Sequence, residues 1–183
     1  HKFPVINCSN QAIYFIAAEN ADLSSKLEIS GEALCLGDEN KPLMLLADNQ
    51  AIPLLIFLVN HLRIQWGEKK LRESIYQILL GTNSVFPFLP IPSQILIPNI
   101  PAGLIASSQL LEDLDLPARL ASTNDSPGCF VGTLPMLLKQ LKLDSFFESD
   151  SMVVAIGSSD LLLATKKLFN ERATKQFLIK FEN

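Results

Sequence analysis

The densest run of side chains able to do chemistry is Arg119, Ser122, Thr123, Asn124, Asp125, Ser126, Pro127, Gly128 and Cys129. It follows Ala118 to Ser122, a stretch of strand character, and doubly wound sheets bind ligands at the carboxyl ends of their strands. Polar groups at Ser122 and Thr123, with the backbone freedom of Gly128, would suit a nucleotide or a flavin carried by a partner. The competing reading is a polar turn held by Asn124, Asp125 and Gly128. Other sources of chemistry are sparse. His61 is the only internal histidine and stands beside Asn60 and Arg63 as a solvated helix residue, which leaves a hydrolytic triad without its base. Neither Gly-x-Ser-x-Gly nor His-Glu-x-x-His occurs. Glu112, Asp113 and Asp115 sit at a helix end and read as a solvated acidic face, not a paired acid and base. Cys8, Cys35 and Cys129 are odd in number, widely spaced and without a CxxC pair, which argues against a disulfide framework and against a zinc or iron–sulfur site.

The elements that must position these residues alternate along the chain. Residues 4–8 and 11–17 read as short strands around Ser9-Asn10, and Lys26 to Ile29 as a third. Three strands cannot close a barrel. Pro42 to Ala47 is a continuous apolar run of strand length. A long helix follows it to Trp66-Gly67, with Pro53 in the first turn, where a missing N–H costs nothing. Ile56, Val59, Leu62 and Ile64 are expected to cover the sheet. Ser74 to Leu80 reads as strand, Gly81 and Asn83 as turn, Ala106 to Leu114 as helix and Ala118 to Ser122 as strand. Leu134 to Leu141 is expected as helix, Met152 to Ile156 as strand, Asp160 to Asn170 as helix capped by Ser158 or Ser159, and Gln176 to Phe181 as the last strand. Such alternation predicts a parallel, doubly wound α/β sheet with the strand near Pro42 to Ala47 at its centre. Residues 86–101 interrupt it with five prolines among Phe and Ile. They are expected to be ordered and extended against the domain, partly covering its nucleotide side, with Gln94 to Ile97 as an edge strand; the competing reading is an insertion that merely covers the sheet.

At 183 residues the chain fits one domain with a small appendage. A hydrophobic share of 48% against 19% charged residues excludes disorder for most of it and points to a covered face, through a partner or self-association. A net charge of −4 leaves no basic field for nucleic acid. The longest apolar run, Ala51 to Val59, is far short of a membrane span. The chain opens at His1-Lys2 with no signal-like apolar region behind it, and a cytoplasmic location is expected.

Several segments together resemble one family. They are the run from Leu45 through Asn49-Gln50-Ala51-Ile52-Pro53 to Leu58, Phe86-Pro-Phe with Pro92-Ser-Gln, Leu110-Leu-Glu-Asp with Leu116 to Ser122, and Pro127-Gly-Cys-Phe130. Over roughly residues 40–182 the chain looks like the dihydroorotate dehydrogenase electron-transfer subunit and its ferredoxin reductase-like oxidoreductase relatives. The resemblance implies a Rossmann-like nucleotide domain over 40–183, a segment 1–39 that is a remnant of a flavin-binding barrel, FAD and NAD(P) as cofactors, and a dehydrogenase subunit as partner.

The family's cofactor motifs are degenerate here. Its Gly-x-Gly-Ile-x-Pro turn, in which glycines let backbone N–H groups reach a pyrophosphate, stands as Asn49-Gln50-Ala51-Ile52-Pro53-Leu54. Its Cys-Gly-Pro motif near the nicotinamide stands as Ile156-Gly157-Ser158-Ser159, with the glycine kept and the thiol absent. No Arg-x-Tyr-Ser flavin motif surrounds Tyr14 or Tyr76, and no cysteine follows the last strand. Asn49, Gln50, Ala51, Ile52, Gly157, Ser158 and Ser159 are therefore the residues where cofactor contacts would fall, alongside Ser122, Thr123 and Gly128. No catalytic residue or metal ligand is assigned. Two functions stay open: an electron-transfer subunit relative with weakened or lost nicotinamide and flavin binding, or a cofactor-free binding or scaffolding module on the same fold.

Overall fold

The computed structural model describes residues 5–8, 13–15, 36, 41–141, 143, 146, 150–170 and 174–181. The chain divides into two units, His1–Glu39 and Asn40–Asn183. In the first, β1 (Val5–Cys8) and β2 (Ile13–Phe15) pair antiparallel. The expected strand Lys26 to Ile29 lies outside the described residues.

The second unit starts with β3 (Leu43–Asp48), every residue of which is buried. A strand whose two faces are both apolar must be covered on both sides, and this one is. A short turn, Asn49–Ala51, leads into α1 (Ile52–Trp66), with Pro53 in its first turn and Gly67 ending it at φ +79°. The buried stripe of α1 is Ile52, Leu54, Leu55, Leu58, Val59 and Leu62. Ile64, expected to cover the sheet, is 81% exposed because it lies about 200° round the helix from buried Leu62, on the face turned away from the stripe. The polar α2 (Glu68–Ser74), anchored by buried Leu71, was not anticipated. Then come β4 (Ile75–Thr82), β5 (Pro90–Pro92), β6 (Ala106–Ser108), α3 (Gln109–Asp113), β7 (Ala118–Ser122), β8 (Phe130–Val131), α4 (Leu134–Gln140), β9 (Met152–Gly157), α5 (Ser159–Phe169) and β10 (Lys175–Lys180).

Six strands form one parallel sheet in the order β10-β9-β3-β4-β7-β8, an α/β fold with helices on its two faces. Met44, Leu46, Leu79, Val153 and Ala155 pack on one side against Leu134, Leu137 and Leu138 of α4 and Leu161 and Phe169 of α5. Leu43, Leu45 and Ala47 alternate to the other side, where α1 crosses β3 and β9. Phe146 meets Tyr76 and, edge to face, Phe169 at 6.0 Å between ring centres. Gly81, read as a turn, is inside β4, and a Cβ there would lie 2.6 Å from Leu134 Cβ; the glycine is what lets α4 approach the sheet.

Two further expectations are corrected in the segment after β4. Gln94 to Ile97 is not a strand; the strand is β5, Pro90–Pro92, paired antiparallel with β6. Prolines at alternate positions leave Ile91 as the one residue of β5 with an N–H to donate, which a two-stranded ribbon tolerates. Ala106 to Leu114 is not one helix, because Ala106–Ser108 is strand and α3 begins only after Ser108, whose hydroxyl accepts from Leu111 N–H at 3.4 Å.

Candidate functional site

From β3 the chain steps outward through β4, β7 and β8, then returns to the other side of β3 at β9. The reversal lies between β3 and β9, and in open α/β sheets the crevice beyond the carboxyl ends of such strands is the usual ligand site. A cleft of about 240 Å³ opens there, lined by Asp48, Asn49, Gln50, Ser158 and Phe181.

Its floor is a contact between strand ends. Asp48, the last residue of β3, is 7% exposed, and its Oδ1 accepts the Ser158 backbone N–H at 2.8 Å. Its Oδ2 accepts the Ser158 hydroxyl. Ser158 is also the N-cap of α5, its Oγ accepting from Leu161 N–H at 3.4 Å. A carboxylate thus sits at the positive end of an eleven-residue helix. The last residue of β9, directly before the cap, must be glycine: Gly157 has φ +150°, and a Cβ there would stand 2.0 Å from Asp48 Oδ1.

Asn49 adopts φ +51°, a left-handed conformation that asparagine tolerates, and its Oδ1 accepts Asn83 N–H at 2.9 Å. Further along the strand ends, Ser84 N–H donates to Thr82 Oγ1 and Asn124 Nδ2 donates to Ser84 O at 2.8 Å. Hydrogen bonds at Ser158–Asp48, Asn49–Asn83 and Ser84–Asn124 therefore tie the ends of β9, β3, β4 and β7 to one another.

The residues expected from the sequence divide between two places. Asn49, Gln50 and Ser158 line the cleft, with Gly157 under it and Ser159 opening α5. Ala51 and Ile52 do not face a ligand; both are fully buried core. Ser122, Thr123 and Gly128 do not line the cleft. Ser122 is buried and accepts Asn124 N–H at 3.1 Å, Thr123 N–H donates to Thr82 O, and Gly128 O accepts from both Ile105 and Ala106 N–H groups. Gly128, at φ +73°, leaves room for that approach.

The residues lining the cleft include none of the proline-rich stretch 86–101. They fasten over β7 and α3: Ser93 N–H donates to Ile105 O at 2.7 Å, Gln94 N–H to Glu112 Oε2 at 3.0 Å, and Arg119 Nη2 to Ile95 O at 2.6 Å. Arg119 is 4% exposed, and burial holds its guanidinium below its ordinary range, with nearby Glu112 pulling it back up. Glu112, read as part of a solvated acidic face, is instead half-buried, with Oε1 out of solvent and without a hydrogen-bond partner. Cys129 is half-buried, and burial pushes its thiol above the ordinary value. Among the described residues, no three His, Cys, Asp or Glu side chains gather as a metal site, and no helix is long and apolar enough to cross a membrane.

Asp48 escaped the sequence reading although it lies next to the degenerate turn. Its signal was an acidic residue ending an otherwise unbroken apolar strand, directly before a left-handed asparagine.

A dinucleotide does not fit these residues. The α5 N-terminus already holds the Asp48 carboxylate. Asn49 carries a side chain where a glycine would let a phosphate approach.

No family model, curated protein or solved structure matches the chain.

Proposed function

We propose that this chain is a relative of the ferredoxin reductase-like nucleotide domain, of the electron-transfer subunit type, in which cofactor binding at the switch point has given way to an internal carboxylate, and that it acts as a cofactor-free binding module. The observation that carries the reading is the pair of hydrogen bonds from Ser158 to Asp48 at the N-terminus of α5. A second anion there would meet the Asp48 charge within contact distance, in a site that already has its donors engaged. The loop ties along the strand ends support the same reading, since they hold polar groups that a ligand would otherwise use.

Thermal unfolding with added ligand tests it. A ligand that binds only the folded chain adds about 2.7 kcal/mol at 100 times its dissociation constant, enough to move the melting temperature by several degrees. NADH, NADPH and FAD at roughly 1 mM are each expected to leave the transition in place. A rise of several degrees with any of them returns the chain to the working oxidoreductases.

A further inference from the structure

Beyond the carboxylate at its switch point, the molecule's most unusual surface is the excursion between β4 and β6. Residues 91–98 alternate in burial, with Ile91, Ser93, Ile95 and Ile97 half-buried and Pro92, Gln94, Leu96 and Pro98 exposed. Ser93 and Ile95 of the inner row are fastened to Ile105 and Arg119, and the backbone N–H of Gln94 to Glu112, by the hydrogen bonds described above. The outward side includes Val85 at 82%, Leu89 at 81% and Leu96 at 95% exposure. Isolated exposed leucines are ordinary, but these lie on a segment that is held rigid and flanked by prolines, so little order would be lost on association.

Charge gives the second observation. From Ser74 to Leu111 there is no Asp, Glu, Lys, Arg or His, although 19% of the chain is charged and its net charge is −4. Depletion of charge around exposed apolar side chains is the compositional mark of an interface centre. It also bears on the partner. Two copies of an acidic chain repel one another except across a surface without charge, and a neutral apolar surface is its own complement about a two-fold axis. A lipid surface would instead be met by basic side chains beside the apolar ones, and this segment has none.

We propose that the outer side of residues 83–105, centred on Leu89 and Leu96, is a self-association surface through which two copies of this chain form a symmetric dimer. The inference rests on the reading of the chain as a binding module and names its partner. Arg119 and Glu112 act as positioning residues, holding the segment in the shape that presents Leu96.

Sedimentation of the whole chain between about 1 and 500 μM tests this, with a dimer dissociation constant expected below about 100 μM. Leu96→Glu and Leu89→Glu alter side chains more than 80% exposed, so the fold is untouched; each is expected to weaken the dimer at least about tenfold. Ile64→Glu, equally exposed on α1, is expected to leave it unchanged. A native chain that stays monomeric throughout overturns the proposal, as does a dimer indifferent to both leucine variants. A monomer that binds phosphatidylcholine vesicles through Leu96 overturns it in favour of a lipid contact. Adding NADH to the same samples separates the two readings: nucleotide binding with an intact, Leu96-dependent dimer defeats the cofactor-free reading alone.

Discussion

Asp48 and Gly157 act as one unit, each shaped by the other. The carboxylate needs the space that a Cβ at Gly157 would fill, and the Ser158 donors need the carboxylate. Asp48→Ala removes the acceptor and leaves a half-buried N–H without a partner, so denaturant unfolding is expected to show a loss of about 1–3 kcal/mol. Gly157→Ala is expected to cost at least as much, through the clash and the backbone strain at φ +150° together. In an Asp48→Gly background the clash vanishes while the strain remains. The double-mutant cycle is thus expected to show coupling of about 1 kcal/mol or more, and additivity would mean that the two residues do not meet. Cys129 makes a separate, pH-dependent prediction. Burial raises its pKa in the folded state, so the folded chain keeps this proton where the unfolded chain releases it. Its contribution is complete below the unfolded thiol's pKa of about 8.5 and is lost as pH rises through the folded value. Peptide-mapped alkylation near pH 8 is accordingly expected to be slower at Cys129 in the native than in the denatured chain.

At the scale of elements, the tightest joint is Gly81 of β4 against Leu134 of α4. Gly81→Ala places a methyl 2.6 Å from Leu134 Cβ in a fully buried layer, and overpacking of this kind costs about 1–3 kcal/mol in equilibrium unfolding. The excursion over β7 is held by buried polar groups. Glu112→Ala is therefore expected to raise hydrogen exchange at Gln94, whose N–H it accepts, with less effect on β3 or β9. Strands buried on both faces were legible in the sequence, because β9 is an unbroken run of apolar or small residues and β3 is one up to its terminal Asp48. Short or polar elements were not. Ala106–Ser108 has helix-compatible composition running into α3, Phe130–Val131 is too short to show a period, and α2 has one buried apolar residue, Leu71. The residues of the cleft were partly legible: the turn Asn49-Gln50 and the cap at Ser158 follow from local signals. The role of Asp48 does not, since its partner lies 110 positions away and only the strand order brings them together.

For the whole molecule, the sheet order sets a crevice between β3 and β9, and an internal carboxylate bonded to Ser158 forms its floor. The fold alone would predict a nucleotide, and the residues at the fold's one privileged position predict none. Calorimetric titration of the native chain with NADH, NADPH and FAD confronts these two expectations most directly. The account predicts no saturable heat, with any dissociation constant weaker than about 1 mM; a constant below about 50 μM for any of the three would contradict it.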